Sequence, residues 1–87
     1  MSYRIALYRE AEKMLDGLDR TTARRIEAKI EELAREPFSP RLSRQMETVK
    51  DQRYSRVGDW RIIFRVNDAE GTLDILGIRP RGRAYRK

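Results

Sequence analysis

A two-layer α+β domain is the fold class that three features of this 87-residue chain predict. Residues 3–7 alternate with the period of a strand, residues 9–36 carry two apolar stripes at helical spacing, and residues 53–78 alternate again in segments separated by turn residues. The order reads as an N-terminal strand, a two-helix hairpin and an antiparallel meander of three strands. This length accommodates one modest core, so residues 1–87 are read as a single domain.

The first strand is "YRIAL", in which Tyr3, Ile5 and Leu7 alternate with Arg4 and Ala6 as a half-buried strand requires. From Arg9 the period lengthens. Ala11, Met14, Leu15 and Leu18 fall on one face of a short helix, with Glu10, Glu12, Lys13 and Asp16 outside and Gly17 loosening its end. Asp19 is an N-cap residue for a second helix whose stripe is Ala23, Ile26, Ile30, Leu33 and Ala34. That helix stops near Glu36, because Pro37 disfavours helical geometry in the residue before it.

Residues 41–52, "RLSRQMETVKDQ", have no clean period and are read as an irregular segment with room for a short edge strand. The meander follows. Gly58-Asp59 supplies its first turn and "NDAEG" its second. In the middle strand Trp60, Ile62, Phe64 and Val66 point to the helices, and Arg61, Ile63 and Arg65 point away. One sheet face is apolar and covered; the other is open and basic. In the last strand Leu76 and Ile78 fall on the polar parity, which a bulge near Gly77 would correct.

Charge is distributed unevenly. The net charge is +6, yet residues 1–40 hold 8 Lys+Arg and 8 Asp+Glu, whereas residues 41–87 hold 12 and 6. A basic excess confined to one region attracts phosphates or acidic partners. With no cysteine, no apolar leader and no run of membrane-spanning length, the expected setting is the cytoplasm with no membrane association.

The absence of His and Cys removes the usual general base, the thiolate nucleophile and the commonest transition-metal ligands. Ser39, Ser43 and Ser55 read as turn and strand residues, and Asp68, Glu70 and Asp74 as solvated acids around a hairpin, so no metal and no cofactor is expected. Arginine is what remains: it stays cationic and binds phosphate bidentately. Arg56, Arg61, Arg65, Arg81 and Tyr85 are the candidates for work on a phosphate, and Tyr54 is a candidate for stacking on a base. Trp60 belongs by parity to the core. RNA carries its own nucleophile, the 2′-hydroxyl, so aligning it with the adjacent phosphate among cations permits cleavage without metal or histidine.

The run "YSRVGDWRIIFRV", followed by an apolar strand and a basic segment containing Tyr85, resembles the RelE/ParE superfamily of bacterial and archaeal toxins. The hairpin "RVGDWRIIF" is similar to that family's Arg-Val-Gly-Asp-aromatic-Arg-aliphatic-aliphatic-aromatic run. The resemblance implies the toxin of a type II toxin–antitoxin pair and, in the RelE branch, an endonuclease that cuts messenger RNA on the ribosome. It implies phosphate binding and 2′-hydroxyl alignment for Arg61, and phosphate binding for Arg56, the second basic position of the preceding strand. "IRPRGRAYR" aligns with a family segment Ile-Gly-His-Arg-Arg-Glu-Val-Tyr-Arg, so Arg81 would stabilise the transition state or leaving group and Tyr85 would orient or activate the nucleophile. Two positions depart from the pattern. Tyr54 replaces the first basic residue of the preceding strand, with Arg53 one place out of register, and Pro80 replaces the histidine. Arg53, Arg79 and Arg83 are counted among the cations that could meet RNA.

Three functions are compatible with this reading. One is the RNA-cleaving toxin, whose partners would be the ribosome, its message and a small RelB-like or other antitoxin. Another is a ParE-like inhibitor of DNA gyrase without RNA chemistry. The third is a catalytically inactive basic binding module.

Overall fold

The computed structural model describes residues 2–80. Its elements are β1 (Arg4–Leu7), α1 (Arg9–Gly17), α2 (Arg20–Arg35), β2 (Arg44–Gln45), β3 (Arg53–Val57), β4 (Trp60–Asn67) and β5 (Thr72–Pro80). The strands form one sheet in the order β1-β5-β4-β3-β2. The expected meander is present: β3, β4 and β5 pair antiparallel as consecutive neighbours.

Turn chemistry fixes its register. Val57 pairs with Trp60 across Gly58-Asp59, where Gly58 has φ 57 and would place a Cβ 3.4 Å from the Arg25 guanidinium. In the second turn the Glu70 amide donates to Asn67 Oδ1 at 3.1 Å and Gly71 takes φ 70, so Asn67 and Thr72 end opposite each other.

The sheet is mixed, which periodicity along the chain did not reveal. β1 lies at the edge beside β5 and runs parallel to it, from Arg4 opposite Thr72 to Leu7 opposite Ile75. Ile5 and Leu7 are 38% and 41% exposed, more than a half-buried strand implied, because β1 has no outer neighbour and the helices leave its rim open. They line a shallow groove with Leu15, Ile30, Glu27 and Glu31.

The core lies between the helices and the inner sheet face. Ala11 and Leu15 of α1, and Ile26, Ile30, Leu33 and Ala34 of α2, pack against Val57, Ile62, Phe64, Leu73, Ile75 and Ile78. Trp60 packs at its margin, as its parity requires. A register shift supplies the bulge: Ile63 pairs with Gly77 but Phe64 with Ile75, leaving Leu76 as the extra residue. Ile78 thereby returns to the core opposite Ile62, and Arg79 comes opposite Arg61 on the other face.

Asp19 caps α2, accepting from the Thr22 amide at 3.1 Å. Hydrogen bonding from the Thr22 side chain first, and from its amide next, holds the Asp19 carboxyl below its ordinary value. A depressed folded-state value stabilises the fold above the unfolded carboxylate pKa, about 4, and this contribution is lost as pH falls through the folded value. Asp19→Ala is therefore expected to melt below wild type at neutral pH. The gap should close on acidification below about pH 4, which thermal melts across a pH series will measure.

The segment after α2 is pinned by buried serines rather than by strand pairing. Ser43 Oγ donates to the Pro37 carbonyl at 2.6 Å and Ser55 Oγ donates to the Leu42 carbonyl at 2.6 Å. Both hydroxyls are thus occupied structurally, as the sequence suggested. The short edge strand in this segment is β2, pairing Arg44 with Tyr54 and Gln45 with Arg53. No helix among the described residues is long and apolar enough to cross a membrane.

Candidate nucleic-acid interface

The face turned away from the helices is built from alternate residues of three strands: Tyr54 and Arg56 from β3, Arg61, Ile63 and Arg65 from β4, and Asp74, Gly77 and Arg79 from β5. Arg56 pairs with Arg61, and Arg61 with Arg79, so three arginines form one row across three adjacent strands. Like charges directly opposite one another destabilise a sheet. Local contacts relieve part of that cost: Arg79 is met by Glu10 of α1, with Nε and Nη2 at 3.2 and 3.4 Å from its carboxylate oxygens. Gly77 makes room for this pair, since a Cβ there would lie 3.3 Å from both Arg79 Nε and Glu10 Oε2. Arg61, in the middle, lies with its guanidinium carbon 4.6 Å from the centroid of the Tyr54 ring. Arg56 is exposed.

Two other predicted cations are engaged elsewhere. Arg65 lies on the open face but is held by buried Asp74 at 3.6 Å, by the Tyr8 hydroxyl at 3.1 Å and by Asp51 at 4.0 Å. Asp74 also accepts from Thr72 Oγ1 at 2.8 Å and from the Tyr8 hydroxyl at 3.3 Å, so this group joins the start of α1, β4 and β5. Arg53, one residue out of register, points to the opposite face, where it donates to Ser43 Oγ at 2.8 Å and to the Ser43 carbonyl at 3.3 Å, and stacks over Phe38. It braces the segment after α2 and stands outside the arginine row. Arg81, Arg83 and Tyr85 lie outside the described residues.

Tyr54 stands between two hollows. One, of about 700 Å³, is lined by Arg44, Gln45, Met46, Glu47, Thr48, Tyr54 and Arg61. The other, of about 460 Å³, is lined by Tyr54, Arg56, Arg44, Arg41 and Lys29 among others. Arg41, Arg44 and Lys29 were missed as site residues. Lys29 lies off the apolar stripe of its helix, and Arg41 and Arg44 sit in a stretch without period; the basic excess after residue 40 was the signal that included the two arginines.

The family model described as "ParE toxin of type II toxin-antitoxin system, parDE" matches residues 5–85. Among solved structures, the archaeal RelE-RelB complex from Pyrococcus horikoshii is 30% identical with TM-score 0.75, covering 95% of this chain and 99% of that one. The toxin–antitoxin complex RelBE2 from Mycobacterium tuberculosis is 21% identical with TM-score 0.77, covering 93% and 100%. The isolated E. coli RelE toxin is 15% identical with TM-score 0.81, covering 97% and 89%, a likeness of fold. None of the curated proteins compared with the chain matches it. The match over nearly the whole chain, and the sheet and helices shared with RelE structures, make this protein a member of the RelE/ParE superfamily of toxins from type II toxin–antitoxin systems.

Proposed function

We propose that this toxin is an endoribonuclease that cuts messenger RNA on the ribosome through attack of a 2′-hydroxyl on the adjacent phosphate. The observation that carries this reading is the transverse row Arg56, Arg61 and Arg79, with the central guanidinium stacked on Tyr54. A cationic row that costs stability in the free protein is offset by a bound phosphate, and the cost is offset further as negative charge builds on the phosphoryl oxygens. Arg61 and Arg56 hold the scissile phosphate in line with the 2′-oxygen. Attack forms the 2′-O–P bond and breaks the P–O5′ bond, leaving a cyclic phosphate on one fragment and a 5′-hydroxyl on the other. With no histidine in the chain, the 2′-hydroxyl proton passes to a tyrosinate, for which Tyr85 is the candidate, while Arg81 meets the leaving 5′-oxygen, which takes its proton from water. Pro80, in the histidine's place, supplies no acid or base.

The P. horikoshii relative is seen with its RelB, and we take the partner of this chain to be a small antitoxin of comparable kind. The exposed Ile5 and Leu7 on the unpaired β1 edge, and the net charge of +6, suit an amphipathic, acidic segment. The gyrase reading is kept for the ParE description of the matching family. Mapping message ends after induced expression, beside a gyrase–DNA cleavage assay, separates the two. New ends within translated messages and no trapped gyrase complexes are expected; trapped complexes with unchanged messages would overturn the proposal.

A further inference from the structure

Resting on the RNA-cutting reading, we infer that the hollow on the far side of Tyr54 is a second phosphate site, which holds a backbone phosphate neighbouring the one at Arg61. This hollow of about 460 Å³ draws its cations from four parts of the fold: Lys29 from α2, Arg41 from the connecting segment, Arg44 from β2 and Arg56 from β3. Among the described residues no carboxylate lines it. Lys29 pairs with Glu32 at 3.6 Å. Arg41, Arg44 and Arg56 are exposed, and among the described residues their side chains make no hydrogen bond or ion pair.

That arrangement differs from the treatment of the other strand arginines. Arg53, Arg65 and Arg79 are each met by oxygen atoms of the chain. Three guanidinium groups gathered around one hollow, without such partners among the described residues, repel one another and create a field that an anion relieves. Their planar forks suit the paired oxygens of a phosphodiester.

Three residues connect this site to the row. Arg56 lines the hollow and also pairs with Arg61 across the sheet. Arg44 and Tyr54, themselves a cross-strand pair, line both hollows and form the ridge between them. A single strand passing over this ridge sets the scissile phosphate at Arg61 and Arg56 and a neighbouring one at Arg41 and Arg44, with Arg56 between the two. The function of the second site is to fix the register of the strand, so that the scissile phosphate arrives in line with its 2′-oxygen. An acidic peptide would meet the same charges, but two adjoining cationic hollows on one ridge suit a chain that carries an anion at every unit.

The test uses the full chain and a short single-stranded 2′-O-methyl RNA, which has no free 2′-hydroxyl and cannot be cut. Fluorescence anisotropy gives its affinity against salt concentration for wild type, Arg41→Gln/Arg44→Gln, Arg41→Lys/Arg44→Lys and the charge-matched Arg20→Gln/Arg24→Gln. The first variant is expected to lower the salt slope by about 0.7, the value for one single-strand phosphate contact, while the lysine variant and the distant pair retain the wild-type slope. Equal slopes for wild type and Arg41→Gln/Arg44→Gln would overturn the inference, as would an equal loss in the distant pair. Loss of binding to a glutamate-rich peptide with RNA binding intact would overturn it in favour of a protein partner. Message cleavage is scored separately in cells. Cleavage with an indifferent RNA slope sinks the second site alone; the expected slope change without cleavage leaves the site standing and removes the enzymatic reading.

Discussion

Arg61→Ala is expected to lower message cleavage by about 10²–10³-fold, the range seen when one preorganised donor to a developing oxyanion is removed. Its position explains the size of the effect. Arg61 is the only member of the row with an arginine on both sides, so its loss separates Arg56 from Arg79 and leaves Tyr54 without its stacked cation. Folding should survive, because the substitution removes like-charge repulsion from the sheet and touches none of the buried apolar set. Arg61→Lys should recover part of the rate, since an ammonium supplies charge without the bidentate fork. Single-turnover cleavage on programmed ribosomes is the measurement. A fall in the chemical step with message affinity little changed marks a contact made mainly in the transition state. An unchanged rate in Arg61→Ala would dismiss the row as the site of chemistry.

Phe64→Ala is expected to cost about 3–5 kcal/mol, the largest stability effect of any single substitution considered. Phe64 is fully buried in the centre of β4, between β3 and β5, opposite Arg53 on one side and Ile75 on the other. Strand pairing on both sides keeps the space from collapsing, so the cavity term adds to the lost transfer energy. Domains of this size are stable by about 5–15 kcal/mol in total, so a substantial loss of the folded population is expected on mild warming. Urea denaturation of wild type and variant gives the difference, and a loss below about 1 kcal/mol would mean that the site repacks.

The sequence and the structure agree best where the cause is local. The meander was legible because apolar alternation in β3 and β4 and glycines with positive φ at 58 and 71 act over a few residues. Parity alone placed Arg61 on the open face and Trp60 against the core, and it set Arg53 on the opposite face from Tyr54. The partners of the arginines were not legible. Glu10 meets Arg79, and Tyr8 and Asp51 meet Arg65, only because α1, its N-cap and the loop before β3 come together with β4 and β5 in space. β1 hid its parallel neighbour for the same reason. β2, with two residues, is too short to show a period, and Arg41 and Arg44 near it acquire meaning only from the hollow they line.

The extra residue at Leu76 makes strand length a part of the site's specification. In β5 the side assigned to each position depends on the count from Thr72, and one added residue inverts the assignment for everything after it. In unbroken alternation Arg79 would be driven toward the helices and Ile78 toward water. The charge of the row is thus encoded by the arginines, but its location is encoded by a number of residues. A relative of the same length whose last strand ran without the bulge would carry the arginine and lose its address.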